Sequence, residues 1–331
     1  MLSRVAENLY WLGRYTERAE NMARIVSVNA NLLLDLPKGI APGWQPLIAI
    51  TGSNGLFREC YGDYEERSVV RFLVGDSENP DSILSCLVMA RENARTIRDI
   101  VPREGWEAIN ELYLFAKENL QSGLSKRGRY AYLKEIFRSA HTIGGMIAGT
   151  MNHDAGYDFL RSGRNLERAD MTTRIIDVRS ASLLPEETAS LRPFENIQWV
   201  SVLKSLTAYQ MYRRAMQVRV RRADVLRFLF QNPVFPRAVY RCVAVVEECV
   251  GRLPRNEAPL RVLGRVKRTL QGADVAALTQ SAVHEFIDQL QIGLGQIHEE
   301  IAKTYFLAAP SPVESSAVLC EAAVSQPART A

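Results

Sequence analysis

Residues 13–26 read GRYTERAENMARIV, and residues 163–176 read GRNLERADMTTRII. Gly13, Arg14, Glu17, Arg18, Ala19, Arg24 and Ile25 recur as Gly163, Arg164, Glu167, Arg168, Ala169, Arg174 and Ile175 at a single offset of 150. Glu20 and Asp170, at the same offset, differ by one methylene. A duplicated unit should repeat other landmarks in the same order. Residues 71–87, RFLVGDSENPDSILSCL, align without a gap on 227–243, RFLFQNPVFPRAVYRCV, at an offset of 156. The shared frame is Arg-Phe-Leu, then Pro80/Pro236, Ile83/Val239 and Cys86/Cys242. Trp44 and Trp199, between the two blocks, lie 155 apart, so the offset grows steadily, as small loop insertions would make it. The expected organisation is a single unit over 1–307, with halves of about 1–150 and 151–307, and a tail over 308–331.

Both halves read as helix. Leu9, Leu12, Thr16, Ala19, Ala23, Val26, Ala30 and Leu33 fall at alternating steps of three and four, one small-and-apolar stripe along a long helix. The matching stripe is Phe159, Leu166, Ala169, Ile176 and Leu183. Small residues such as Ala19 and Ala169 beside the charges are expected to admit another helix closely. Pro80 and Pro236 are each predicted at the first position of a helix, where the missing N–H costs nothing, and Pro102 is predicted to stop the first of these. Further helices are expected over 104–120, 127–151, 196–220, 259–271 and 275–307, with glycine and proline clustered in 36–62 and 181–193. No alternating β pattern occurs. The last residues, AAPSPVESSAVLCEAAVSQPARTA, lack any period and are predicted disordered, with Cys320 exposed. The predicted fold class is therefore all-α, a helical bundle built from two tandem pseudo-equivalent halves with a disordered C-terminal tail.

Composition narrows the function classes. A net charge of +4 over 331 residues is too mild to imply a strong polyanion affinity. Five scattered cysteines, an odd number with no CxxC pair, argue against a disulfide framework and a zinc cluster and suit a reducing compartment. The opening MLSRVAENLYWLGRYTERAE is charged throughout, where a signal peptide needs an apolar core. No apolar run approaches the roughly 18–20 residues of a membrane span. A cytoplasmic protein that does not enter membranes is expected.

The repeated charges need partners. Arg14 and Arg18 share a helix face, as do Arg164 and Arg168, and like charges four apart repel by about 0.2–0.5 kcal/mol per pair. Each pair therefore calls for an anion. Glu20→Arg24 and Asp170→Arg174 are favourable i,i+4 pairs, whereas Glu17 and Glu167 have no basic residue four positions on. Two readings are open. In one, the copies pack about a pseudo-twofold axis and exchange bonds, Glu17 with Arg164 or Arg168 and Glu167 with Arg14 or Arg18. In the other, the arginines line a cleft and hold a carboxylate or phosphate, with the glutamates orienting them.

Other constellations are weaker. Helical di-metal sites use Glu-x-x-His, and neither Glu17 nor Glu167 has a histidine three residues on, so no metal and no cofactor are expected. His141, His153, His284 and His298 are not at ligand spacing, and His153, close before the second motif, is a minor candidate with capping as the alternative. Ser201-Val-Leu-Lys204 matches Ser-x-x-Lys without its companion motifs, and no phosphate-cradling glycine loop or nucleophile elbow occurs. The stretch 213–227, RRAMQVRVRRADVLR, is rich in arginine but nearly free of aromatics, which disfavours nucleic acid.

The strings LSRVAENLYWLGRYTERAENMARI, FLVGDSENPDSILSCLVMARENARTIRD, FLRSGRNLERADMTTRIIDVR, AYQMYRR and FPRAV resemble the bacterial Alpha-E family over nearly the whole chain to about residue 307. The resemblance implies an all-helical protein encoded beside, or fused to, circularly permuted ATP-grasp proteins, with transglutaminase-like proteins nearby. It implies a part in making or modifying peptides, with an ATP-grasp-type ligase and a transglutaminase-like protein as partners. By motif position it points to Arg14, Glu17, Arg18, Glu20, Arg164, Glu167, Arg168 and Asp170, with Asn93, Arg95, Tyr209 and Arg213 as a second tier. Three functions follow: an accessory component that docks a partner or holds an anionic peptide-like group, an enzyme working through the Glu/Arg cleft, or a nucleic-acid or regulatory binder.

Overall fold

The structure, a computed structural model, describes residues 1–35, 43–181, 192–216 and 219–306. The tail 308–331 with Cys320, Leu183, and the parts of the two glycine- and proline-rich stretches at 36–42 and 182–191 lie outside the described residues.

Among the described residues there are fifteen helices and no strand. They are α1 (Ser3–Asp35), α2 (Gln45–Thr51), α3 (Asn54–Cys60), α4 (Glu66–Gly75), α5 (Ile83–Thr96), α6 (Arg103–Glu118), α7 (Leu120–Leu124) and α8 (Arg129–Thr150). Then come α9 (Ala155–Ala181), α10 (Arg192–Ser205), α11 (Tyr209–Met216), α12 (Arg222–Gln231), α13 (Val239–Gly251), α14 (Glu257–Gly272) and α15 (Gln280–Tyr305). Helix α12 begins and ends 156 residues after α4 (222 − 66 and 231 − 75), and α13 begins 156 after α5 (239 − 83). Helix α14 begins and ends 154 residues after α6 (257 − 103 and 272 − 118). The fold is all-α.

The two longest motif helices lie at the centre. Helix α1 packs on α5, α8 and α9, and α9 packs on α1, α13 and α15. Their stripes supply the core: Leu9, Leu12, Ala19, Ala23 and Val26 are buried on α1, and Phe159, Leu166, Ala169 and Ile176 on α9. Trp44 and Trp199 are both buried. The point of closest approach differs from the expected Ala19 and Ala169, although both of these are fully covered. A Cβ on Gly13 would lie 2.2 Å from the carbonyl oxygen of Leu160, and one on Gly163 would lie 2.0 Å from that of Tyr10. Leu160 is itself 150 residues after Tyr10, so the contact is reciprocal. The glycines let the two backbones touch, and the charged motif then follows one turn further along each helix.

Several boundaries correct the sequence reading. Pro80 and Pro236 do not begin helices. Each sits in a turn three residues earlier, and α5 is capped at Ser82, whose hydroxyl accepts from Ser85 N–H at 3.1 Å. The turn is formed by Asn79, whose side chain donates to Phe72 O at 2.9 Å and accepts from Asp81 N–H at 3.0 Å. Helix α5 stops at Thr96, before Pro102, through a turn at Ile97. The single helix expected over 196–220 is broken into α10 and α11 at Thr207, whose φ is 54°. Two short helices, α2 and α3, occupy part of the stretch where glycine and proline cluster, and Gly52 ends α2 in the left-handed conformation with φ 72°.

Candidate functional site

The crossing of α1 and α9 brings both copies of the charged motif together in a crossed arrangement. Glu17 on α1 is held by arginines of the other copy. Its Oε1 accepts from Arg168 Nε at 3.0 Å, and its Oε2 from Arg168 Nη2 at 2.7 Å and Arg164 Nε at 3.2 Å. Glu167 on α9 accepts from Arg14 Nε at 2.8 Å and, as a fork, from Arg18 Nε at 2.6 Å and Nη2 at 2.9 Å. Each forked pair satisfies a buried carboxylate with two parallel bonds, the geometry in which guanidinium is strongest. Both carboxylates are 1% exposed. The exchange of bonds between copies is therefore the observed geometry of six of the eight candidates, whereas Glu20 bonds Arg24 of its own copy and Arg237 rather than the second motif. Asp170 pairs with its own Arg174 at 2.8 Å and stays outside the crossing.

The two copies are not equivalent at their edges. Arg237, in the turn before α13, donates to Glu17 Oε1 and to Asn21 Oδ1, both at 2.8 Å, and to Glu20. Asp81, which occupies the matching place before α5 (237 − 156), instead accepts from Arg18. Glu20 also accepts from Arg24 at 2.9 Å and faces His141 Nε2 at 3.3 Å. Six arginines (Arg14, Arg18, Arg24, Arg164, Arg168 and Arg237) thus meet four carboxylates (Glu17, Glu20, Glu167 and Asp81).

Electrostatics follow from that excess. Burial alone would push the Glu17 carboxyl up, but Arg168 and Arg237 outweigh it and hold the group well below the usual range. Glu167 is drawn down to about 2, burial again being outweighed by Arg14 and Arg18. Arg14, Arg18 and Arg168 are held charged, because the glutamates overcome the cost of burial. On the outer side of Arg14, an aromatic wall closes the first copy. Its guanidinium lies 5.2 Å from the Trp11 ring, and His298 Nδ1 bonds the Tyr10 hydroxyl at 2.9 Å. Burial and Arg14 lower His298 to about 4, so its ring is neutral. The matched cysteines are structural. Cys86 and Cys242 point their thiols at the carbonyls of Pro80 and Pro236, and burial pushes Cys242 up to about 12 and Cys86 up as well.

The second-tier candidates lie elsewhere. Asn93 and Arg95 are on α5, where Arg95 is 58% exposed and pairs with Glu92. Arg213 is exposed on α11 and Tyr209 half-buried at its start, so the buried tyrosine of AYQMYRR is Tyr212. His153 caps α8 by bonding Ala148 O at 3.0 Å and stacks on Tyr157, so it is not part of the charged centre. Arg237, Asp81 and His141 were not singled out in the sequence. Arg237 was findable in principle, because it stands opposite Asp81 in the gapless alignment of 71–87 with 227–243. Among the described residues no group of three or more His, Cys, Asp or Glu side chains is disposed to hold a metal, and no helix is long and apolar enough to cross a membrane.

Comparison with known proteins agrees with the helical fold. No solved structure matches the chain. The chain is 23% identical over 194 residues to Uncharacterized protein Mb2597 of Mycobacterium bovis and to Uncharacterized protein Rv2567 of Mycobacterium tuberculosis. In each case the match covers 52% of this chain and 22% of the relative, so the chain spans about a fifth of the length of the curated relatives it matches. The model of the Alpha-E family, described as a predicted alpha-helical domain with a conserved ER motif, matches residues 1–306. In this chain that dipeptide occurs in the crossed segments as Glu17-Arg18 and Glu167-Arg168, and the chain belongs to the Alpha-E family.

Proposed function

We propose that this protein is a non-catalytic accessory component of an ATP-grasp-associated system for peptide synthesis or modification, docking on the ligase and holding an anionic peptide-like group for it. The observation that carries the reading is the saturation of the two motif glutamates. A general acid or base works best when its proton affinity lies near the operating pH and it can reach a substrate. Glu17 and Glu167 are buried, fully bonded and held far below that range, so their chemistry is spent on joining helices. Buried thiols pushed to high proton affinity leave Cys86 and Cys242 without nucleophilic character. What the motif does supply is a rigid centre with more arginines than carboxylates, suited to holding anions. The mycobacterial relatives support a role beside other domains, since the matched stretch is 22% of their length.

The test is affinity capture of the full chain from its native host, scored for an ATP-grasp-type ligase and a transglutaminase-like protein. Stoichiometric recovery of the ligase with the wild-type chain is the expected result. Turnover of a peptide by the purified chain alone, lost in Glu167→Gln, would instead establish the enzymatic alternative.

A further inference from the structure

Beside the crossing, on the α9 side, a cleft of about 270 Å³ opens between α8, α9 and the start of α13. Its polar lining is Arg161, Arg164, Asn165, Arg168 and Arg241, and no acidic side chain lines it. Arg164 uses only Nε on Glu17, and its guanidinium end lies against Gly144, where a Cβ would come within 2.3 Å of Nη1. Among the described residues Arg241 makes no ion pair and the terminal nitrogens of Arg164 bond nothing. The rest of the lining is Tyr157 and apolar residues including Ile147, Leu160 and Val245, with Val234 78% exposed.

The other copy of the motif shows what this place looks like when it is closed. At the positions 150 residues before Arg161 and Asn165 stand Trp11 and Tyr15, stacked with their ring centroids 5.3 Å apart beside Arg14 and Arg18. At the positions 156 residues before Val234, Arg237 and Arg241 stand Glu78, Asp81 and Ser85. One copy is thus plugged by aromatic rings and neutralised by Asp81. The other lacks the plug and carries Arg237 and Arg241 in addition. Arg164 is accordingly 24% exposed at its side chain, where Arg14 is 11%.

We infer that this cleft binds the terminal carboxylate of a peptide whose last residue is apolar. Guanidinium groups with unused N–H donors bind a planar carboxylate as a fork, and the apolar walls and exposed Val234 take the side chain. The volume lies just below the roughly 300–1,000 Å³ of small-molecule pockets, which suits a peptide end. The inference rests on the reading of this chain as the holder of an anionic peptide-like group. It is tested on the isolated full chain, so that its failure and the failure of ligase docking are told apart.

The experiment is a calorimetric titration with N-acetyl-valyl-leucine, with its C-terminal amide, and with inorganic phosphate. The variants are Arg241→Ser and Val234→Glu, each placing at this site a residue found in the closed copy, and neither touching the Glu17 pairs. The acid should bind, the amide should bind at least about tenfold more weakly, and each variant should lose roughly tenfold or more with an unchanged melting temperature, the size expected for one charge-assisted bond. Equal binding of acid and amide, no binding of the acid, or displacement of the acid by phosphate at its own affinity would overturn the assignment.

Discussion

Glu17 binds three arginines and Glu167 two, so the two glutamates of one repeated motif should not be equally replaceable. Glu17→Ala leaves Arg164, Arg168 and Arg237 facing one another in a buried site, and should destabilise by about 3–5 kcal/mol. Glu167→Ala should cost less, because Arg18 keeps Asp81. Denaturant unfolding of both variants checks the order, and an equal or reversed cost would show that the pairs are not what joins the helices. The pH dependence has a definite sign. Glu167 is lowered to about 2 and Glu17 is lowered well below its usual value, so their contribution is full above the unfolded value of about 4.3 and is lost as pH falls below it. His298, lowered to about 4 and surrounded by Tyr10, Trp11 and Arg14, contributes above about 6.5, and that contribution is lost as pH falls from 6.5 towards 4. His298→Gln should therefore flatten the melting temperature between pH 6.5 and 4 while leaving the steeper acid limb below. At this scale the crossed Glu–Arg pairing was legible, because glutamates lacking local partners must find distant ones. The part played by Arg237 went unread, although the alignment sets it opposite Asp81, since a repeat is read by likeness and this pair differs.

At the scale of elements, the crossing of α1 and α9 depends on two glycines whose missing side chains leave room for backbone, not for another side chain. Gly13→Ala or Gly163→Ala would drive a methyl into the carbonyl of Leu160 or Tyr10, and neither carbonyl can turn away without disturbing its helix. Each substitution should cost about 3 kcal/mol, the upper part of the overpacking range, and should loosen the Glu–Arg bonds with it. Gly144→Ala is the control, since its methyl meets only the movable end of Arg164. It should leave stability within about 1 kcal/mol, as a surface-like change does. Thermal melts of the three variants decide the matter, and a mild Gly163→Ala would mean that the helices part easily. The long helices were readable because seven or more turns of stripe leave a clear period. Helices α2 and α3, of seven residues each, are too short for any period to show. The prolines misled because the side chains of Asn79 and Ser82, not proline, set where α5 begins.

The whole molecule inherits both facts. The spacing of α4 and α12, and of α5 and α13, follows the offset of 156 read in the sequence, while the difference between the two motif copies lies in the positions that do not match. Because Glu17 and Glu167 are neutralised from the opposite copy, neither half can satisfy the charges of its own motif. Residues 1–153 would keep Glu17 without Arg164, Arg168 and Arg237, and would keep Arg14 and Arg18 without Glu167. Residues 154–306 would strand Arg164 and Arg168 in the same way and would uncover the stripe of α9. The cut falls in the exposed turn between α8 and α9 and leaves Asp154, which accepts from Gly156 N–H at 2.8 Å, with the helix it caps. Unpaired buried charge costs several kcal/mol per group, comparable with the 5–15 kcal/mol that stabilises a whole domain. Each fragment alone should therefore melt gradually, without a cooperative transition, although its helical content persists in part. Mixing the two should restore one sharp transition, weaker in 1 M salt only at exposed pairs such as Arg252–Glu248, since the buried pairs are poorly screened. A sharp melt from either fragment alone would show that the halves are independent domains that merely touch.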